Sequence, residues 1–187
     1  MHKLSRTVKN AHNIFNTLTT FHYFIYQYAS YFTFIDSKFL ITTGYETVYT
    51  GKSEVIDLSV SGNYECPDWT EYPIYVQGAT GGLLGTTPVV CGGGPPVTNK
   101  CYKMAGNKVY HIVSMTTERR FASSVTIDDR ILWITGGLDD NNNLLSSSEF
   151  VQLDGSTKGP DLPIAIIEHA MININNDQII IIGGLPE

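Results

Sequence analysis

"ILWITGGLDD", residues 131–140, runs four bulky apolar side chains and a threonine into two consecutive glycines and then turns acidic. A half-exposed strand alternates apolar and polar residues, whereas a strand covered on both faces reads as a continuous apolar run. Residues 131–135 are of the second kind. They imply a strand buried between two layers that ends where Gly136 and Gly137 let the backbone turn in close quarters.

Laid without gaps over the rest of the chain, this stretch finds three counterparts. "ASSVTIDDRILWITGG" (122–137) aligns with "HAMININNDQIIIIGG" (169–184), "GATGGLLGTTPVVCGG" (78–93) and "ASYFTFIDSKFLITTG" (29–44), so the copies begin 49, 44 and 47 residues apart. Each copy has a small residue at or near its start (Ala29, Gly78, Ser123, Ala170), a strand, a polar turn and a second apolar strand. That is a β-hairpin repeated four times. The aromatic segment "FHYFIYQYASYFTFI" (21–35) belongs largely to the first copy. It is shorter than the roughly 20 apolar residues of a membrane span and is interrupted by Gln27, so no span is expected.

Composition agrees with an all-β globular chain. Of 187 residues, 42% are hydrophobic and only 16% charged, which argues against extended disorder, and no stretch sustains helical periodicity. Twelve Lys and Arg against 18 Asp and Glu give a formal charge of -6, and no basic stripe follows the first ten residues. A nucleic-acid backbone would be repelled, so no nucleic-acid partner is expected.

A period near fifty residues built on a hairpin that ends in Gly-Gly resembles the kelch repeat of β-propellers, over about residues 29–187. The resemblance implies four-stranded antiparallel blades. Third strands are expected at "SEVIDL" (53–58), "KCYKM" (100–104) and "SEFVQL" (148–153). Tyr110 stands where the family usually has Trp, with Met115 and Arg119 following at family-like spacing, whereas the third copy offers only "GPDLP" there. Gly44, Gly92, Gly93, Gly136, Gly137, Gly183 and Gly184 become the structural glycines. The expected organisation is an N-terminal segment, 1–28, that either lacks order or supplies an outer strand of a preceding blade, followed by an incomplete propeller, 29–187, of about three and a half blades. Because propellers close with about four to eight blades, the reading expects an open arc that further blades or self-association would complete.

Candidate chemistry is sparse. "DDNNN" (139–143) has oxygen ligands but not the spaced acids and distal Glu of a calcium loop, and reads as a solvated loop. His111 and His169 lack ligands at metal spacing, although Glu168 adjoins His169, and read as structural. "CGGG" (91–94) and "GATGGLLG" (78–85) lack the Lys and helix context of a phosphate loop. Ser123, Ser124 and Ser146–Ser148 lack a nucleophile elbow. Asp128 and Asp129 read as turn residues rather than an acid–base pair. The sequence therefore predicts no catalytic, cofactor-binding or metal-binding residues and no cofactor.

The resemblance implies a non-catalytic interaction module that binds a protein partner, as yet unidentified. Two alternatives stay open: part of a carbohydrate-active, galactose-oxidase-like propeller enzyme, or part of an intracellular ubiquitin-ligase adaptor. Cys91 closes the second strand of its copy and Cys101 lies in the next strand, so the two can oppose each other across a hairpin at disulfide distance. A similar Cys-Gly-Gly…Cys-Tyr pattern in some secreted invertebrate kelch-like proteins implies a disulfide and an extracellular location. The competing reading is two buried thiols in a cytoplasmic protein. Cys66 is left without a partner in the sequence.

Overall fold

The computed structural model describes residues 6–8, 29–35, 38–45, 49–57, 62–64, 71–74, 76–105, 108–175 and 178–186. Among them the fold is all-β and antiparallel, with no helix. Strand β1 (Arg6–Val8) lies in the N-terminal segment and pairs outside the main sheets. Then come β2 (Ala29–Ile35), β3 (Lys38–Tyr45) and β4 (Tyr49–Asp57), which make a three-stranded first sheet. Strand β5 (Gly62–Tyr64) takes β1 as its partner, so part of segment 1–28 forms a small two-stranded sheet; the rest of that segment lies outside the described residues.

The second sheet is β6 (Thr80–Leu84), β7 (Thr87–Cys91), β8 (Lys100–Ala105) and β9 (Lys108–Ser114), in that order. The third repeats the pattern with β10 (Ser123–Ile127), β11 (Ile131–Thr135), β12 (Ser148–Gln152) and β13 (Gly155–Lys158). A ribbon of β14 (Ile166–Asn175) and β15 (Gln178–Pro186) follows. Each aligned hairpin thus supplies the first two strands of a sheet, and each expected third strand occupies third place. The first strands pack on one another in series, β2 on β6, β6 on β10 and β10 on β14. The sheets do not close on themselves.

In β7 the apolar run has the cause inferred from sequence, whereas Ile180, Ile181 and Ile182 of the "IIII" run are exposed. Val89 and Val90 are neighbours in β7 and both fully buried, yet they enter different cores. Val90 joins Met104, Leu40, Val55 and Ala79 between the first and second sheets. Val89 joins Leu132, Ile134 and Val151 between the second and third. A fully buried Val or Leu contributes about 1.5–3 kcal/mol, so a strand covered on both faces gains from every residue rather than every second one.

Cys91 and Cys101 are register partners and form a disulfide, both sulfurs in the core. The equivalent register pairs are Thr42 with Ser53 in the first sheet and Thr135 with Ser148 in the third. The bridge therefore replaces a polar pair without changing the ladder. Its loop is short, 10 residues by sequence separation, so a Cys101→Ser change is expected to cost about 2–3 kcal/mol in denaturant unfolding. Peptide mapping without reduction should recover the two strands linked; thiols that alkylate freely before reduction would overturn the pairing. Cys66 lies outside the described residues.

Candidate functional site

Among the described residues, the side chains richest in interactions gather where the second strands end. Gly92 and Gly93 follow β7, and Gly136 and Gly137 follow β11, all at positive φ. Their reason is contact. A Cβ on Gly92 would strike the Arg119 carbonyl oxygen and one on Gly136 the Ile166 carbonyl oxygen. Those same carbonyls accept hydrogen bonds from the second glycines, Gly93 N–H at 2.9 Å and Gly137 N–H at 2.9 Å. Each diglycine is thus a socket into which the chain entering the next sheet presses a carbonyl. Gly183 and Gly184 keep the positive φ although they lie within β15. Gly44 departs from the expectation: it sits inside β3, paired with Ala29 and Thr50, beside a register shift.

Arg119 adds a side-chain clamp to the first socket. It is fully buried, and its Nη1 donates to Gly136 O at 2.7 Å and Ser147 O at 3.0 Å. Its Nη2 donates to Ser147 Oγ at 3.2 Å and Glu149 Oε1 at 3.1 Å. Glu149, in β12, also accepts from the amides of Thr116 and Thr117 and from the Ser156 hydroxyl. Burial pushes the Glu149 carboxyl up, but those donors and the guanidinium outweigh it and hold it below the usual carboxylate range. Burial pulls Arg119 down and Glu149 opposes this; a guanidinium stays charged in either case. One residue therefore joins the second sheet through its carbonyl and the third through its side chain. At the next junction the equivalent residue is Ile166, which keeps the carbonyl contact and replaces the ion pair with apolar burial.

Around these sockets the loops bond to one another. Gln77 and Gly94 exchange backbone hydrogen bonds, and Arg120 and Leu138 repeat that exchange one sheet later. Arg120 Nη2 donates to Asn142 Oδ1, and Asp140 Oδ1 accepts from Val97 N–H at 3.4 Å. The result is one continuous loop surface from 92–99, 116–121 and 137–145. Pro95, Thr116, Glu118, Asp140 and Asn141 are exposed on it.

The "DDNNN" loop spends its oxygens internally. Asp139 Oδ1 accepts from the amides of Asn141 and Asn143 at 2.8 Å each, and Oδ2 from the Asn143 side chain at 2.8 Å. The Asn143 side chain, then its amide, hold the Asp139 carboxyl below its ordinary value. Asp128 and Asp129 form the β10–β11 turn with φ of 50° and 55°, and with Thr126, Arg130 and Asn173 line a shallow, open depression at the opposite end. His169 is buried between the third sheet and the ribbon, its Nε2 2.7 Å from Thr135 Oγ1, and burial lowers its pKa. His111 is exposed and lies 3.2 Å from Ser114 Oγ. Among the described residues, no three His, Cys, Asp or Glu side chains gather as metal ligands would. Among the described residues no helix is long and apolar enough to cross a membrane. Tyr110, at the aromatic position expected in β9, is exposed, and Lys103 Nζ lies 5.6 Å from its ring centroid.

Glu149 is the residue the sequence reasoning missed. Its signal was the repeated Ser-Glu pair, Ser53-Glu54 and Ser148-Glu149, at the same place in two third strands. No protein-family model matches the chain, and no curated protein matches it.

Proposed function

We propose that the chain is part of a kelch-type β-propeller and serves as a non-catalytic interaction module outside the cell, binding a protein partner through the loops at its diglycine ends. The observation that carries this reading is the loop surface around the sockets. Three connections from successive sheets are bonded into one platform whose exposed side chains, Pro95 and Pro96 apart, are polar and whose backbone is fixed by buried groups. A fixed scaffold that presents exposed loops is where recognition concentrates, because the loops meet a partner without a large ordering cost. The four aligned hairpins, stacked first strand on first strand, support the propeller reading. The Cys91–Cys101 bridge supports an oxidising compartment.

Two double variants test it by changing exposed residues at opposite ends. Glu118→Lys with Asn141→Lys alters the loop platform; Lys108→Glu with Asp154→Lys alters the hairpin-turn end. Cross-linking capture from the secretions of the source organism should recover proteins with wild type and with the second variant, and lose them at least about tenfold with the first. Equal recovery by both variants, or loss with the hairpin-turn variant alone, would sink the reading.

A further inference from the structure

We infer that the junction between the third sheet and the β14–β15 ribbon is a proton-sensitive latch, in which His169 holds the two together while its imidazole is neutral and releases them when acid adds a second ring proton. The inference goes beyond the proposed binding function and does not rest on it. In the gap-free alignment the first position of a copy is Ala29, Gly78, Ala122 or His169. Three small residues show that the repeat itself needs no large side chain there. Ala122 fills the place at the preceding junction, packed against the core that holds Cys91. At the next junction the same two positions hold an imidazole on a hydroxyl: His169 Nε2 lies 2.7 Å from Oγ1 of Thr135, which shares its repeat position with Cys91.

The surroundings suit the neutral ring alone. His169 is 6% exposed, and its Nδ1 is buried without a hydrogen-bond partner. A neutral imidazole carries one N–H and an imidazolium two. The single hydroxyl proton of Thr135 is placed to go to Met171 Sδ at 3.1 Å, which leaves Oγ1 to accept from Nε2–H and leaves Nδ1 with a bare lone pair. Acid would then create a charged N–H at Nδ1, where no acceptor stands. In the other tautomer Nδ1 already holds an N–H without an acceptor, so the imidazolium has one unpaired buried donor in either case, and such a donor carries its full desolvation cost.

No carboxylate offsets the charge. The strands set against β14, namely β10, β11 and β15, carry no Asp, Glu, Lys, Arg or His. The chain entering the third sheet brings two cations. Arg119 donates to Gly136 O, and His169 Cε1 lies 3.0 Å from where a Gly136 Cβ would stand; the guanidinium is paired with Glu149 of β12. Arg120 lies over the Phe121 ring and donates to Asn142. Glu168 is exposed beside His169 and makes no bond to Nδ1. Burial accordingly holds the His169 pKa below its ordinary value. A detached or unfolded chain binds a proton below about pH 6.5 that the closed junction refuses, so the junction is fully stable above that pH and weakens as pH falls through it. The chain just before His169 supplies the Ile166 carbonyl to the Gly136–Gly137 socket, so release at His169 loosens the socket as well.

Hydrogen exchange on the full chain, compared at about pH 7.5 and about pH 5 and corrected for the intrinsic rate, tests this. On acidification, peptides from β14 and β15 should lose about tenfold in protection relative to peptides from β7 and β8, out of the roughly thirtyfold open to a group of ordinary pKa 6.5 held wholly neutral. His169→Ala, which installs the residue of the first and third copies, should abolish that relative loss. So should His169→Gln, whose neutral side chain can still bond Thr135, and this variant decides the matter if His169→Ala fails to fold. His111→Ala should leave the loss intact. Proton NMR should place the His169 ring titration below about 6.5. Unchanged wild-type protection, a loss spread evenly over both sheets, a loss that persists in a folded His169 variant or disappears in His111→Ala, or a His169 midpoint at or above about 6.5 would each overturn the inference.

Discussion

Arg119→Ala should be the most damaging single truncation in the described part of the chain, lowering unfolding stability by about 3–5 kcal/mol. The change takes the charged donor away from the buried Glu149 carboxylate and from the Gly136 and Ser147 carbonyls, of which Ser147 keeps the Gly136 amide. Glu149 keeps the Thr116 and Thr117 amides and the Ser156 hydroxyl, which places the loss toward the lower end. For a chain of this length that corresponds to a melting shift on the order of 10 °C. Urea unfolding of Arg119→Ala, Glu149→Gln and the double variant Arg119→Met with Glu149→Leu separates pairing from packing. The double variant should recover much of the loss, because the surviving charge is removed together with its partner. A cost below about 1 kcal/mol for Arg119→Ala would mean that the buried pair does not hold the second and third sheets together.

Gly136→Ala should come second, at about 3 kcal/mol. Part is conformational, since an L-residue at φ of 64° costs about 1–2 kcal/mol. The rest follows from the collision with the Ile166 carbonyl oxygen, which would pull that oxygen away from Gly137 N–H and leave a buried donor unpaired, worth about 1–3 kcal/mol. Gly85 separates the two contributions. Its φ is 61°, but a Cβ there meets nothing within 4 Å. Gly85→Ala should therefore cost only the conformational part, about 1 kcal/mol. If the two variants unfold at the same urea concentration, the socket contact contributes nothing and backbone conformation alone explains the glycine.

Much of this arrangement was legible before any coordinates, for a physical reason. Stacked sheets impose the same two-sided burial on every central strand, so "ILWI" and "IIII" carry the signal in composition alone, without alternation. Third strands at 53–58, 100–104 and 148–153 were expected only from the resemblance to a repeat that adds a third strand after a loop of variable length. The clamp was not legible in full. Arg119 stood out only by its spacing, and nothing local marks Glu149, 30 residues away, as its partner. The ribbon also hid the fate of its isoleucines: Ile134 and Ile181 share a repeat position, yet the first is buried and the second exposed, because burial depends on the neighbour. Gly44 looked like a diglycine position and instead lies within a strand, where the copy has Thr43 in place of the first glycine.

Val89 and Val90, adjacent in one strand and committed to separate cores, also determine how the molecule should come apart. Among the described residues the two cores share no member, so the free energy of the stack resolves into one contribution per sheet and one per junction, as in a one-dimensional chain of coupled units. Among the described residues the second and third sheets are each held by two couplings, and the first sheet and the ribbon by one each. Opening fluctuations should therefore run inward from the first sheet and the ribbon, each sheet becoming a new terminus as its neighbour leaves. Cooperativity across the chain is then a property of its junctions, and a partner that caps the ribbon would raise the stability of sheets it never touches.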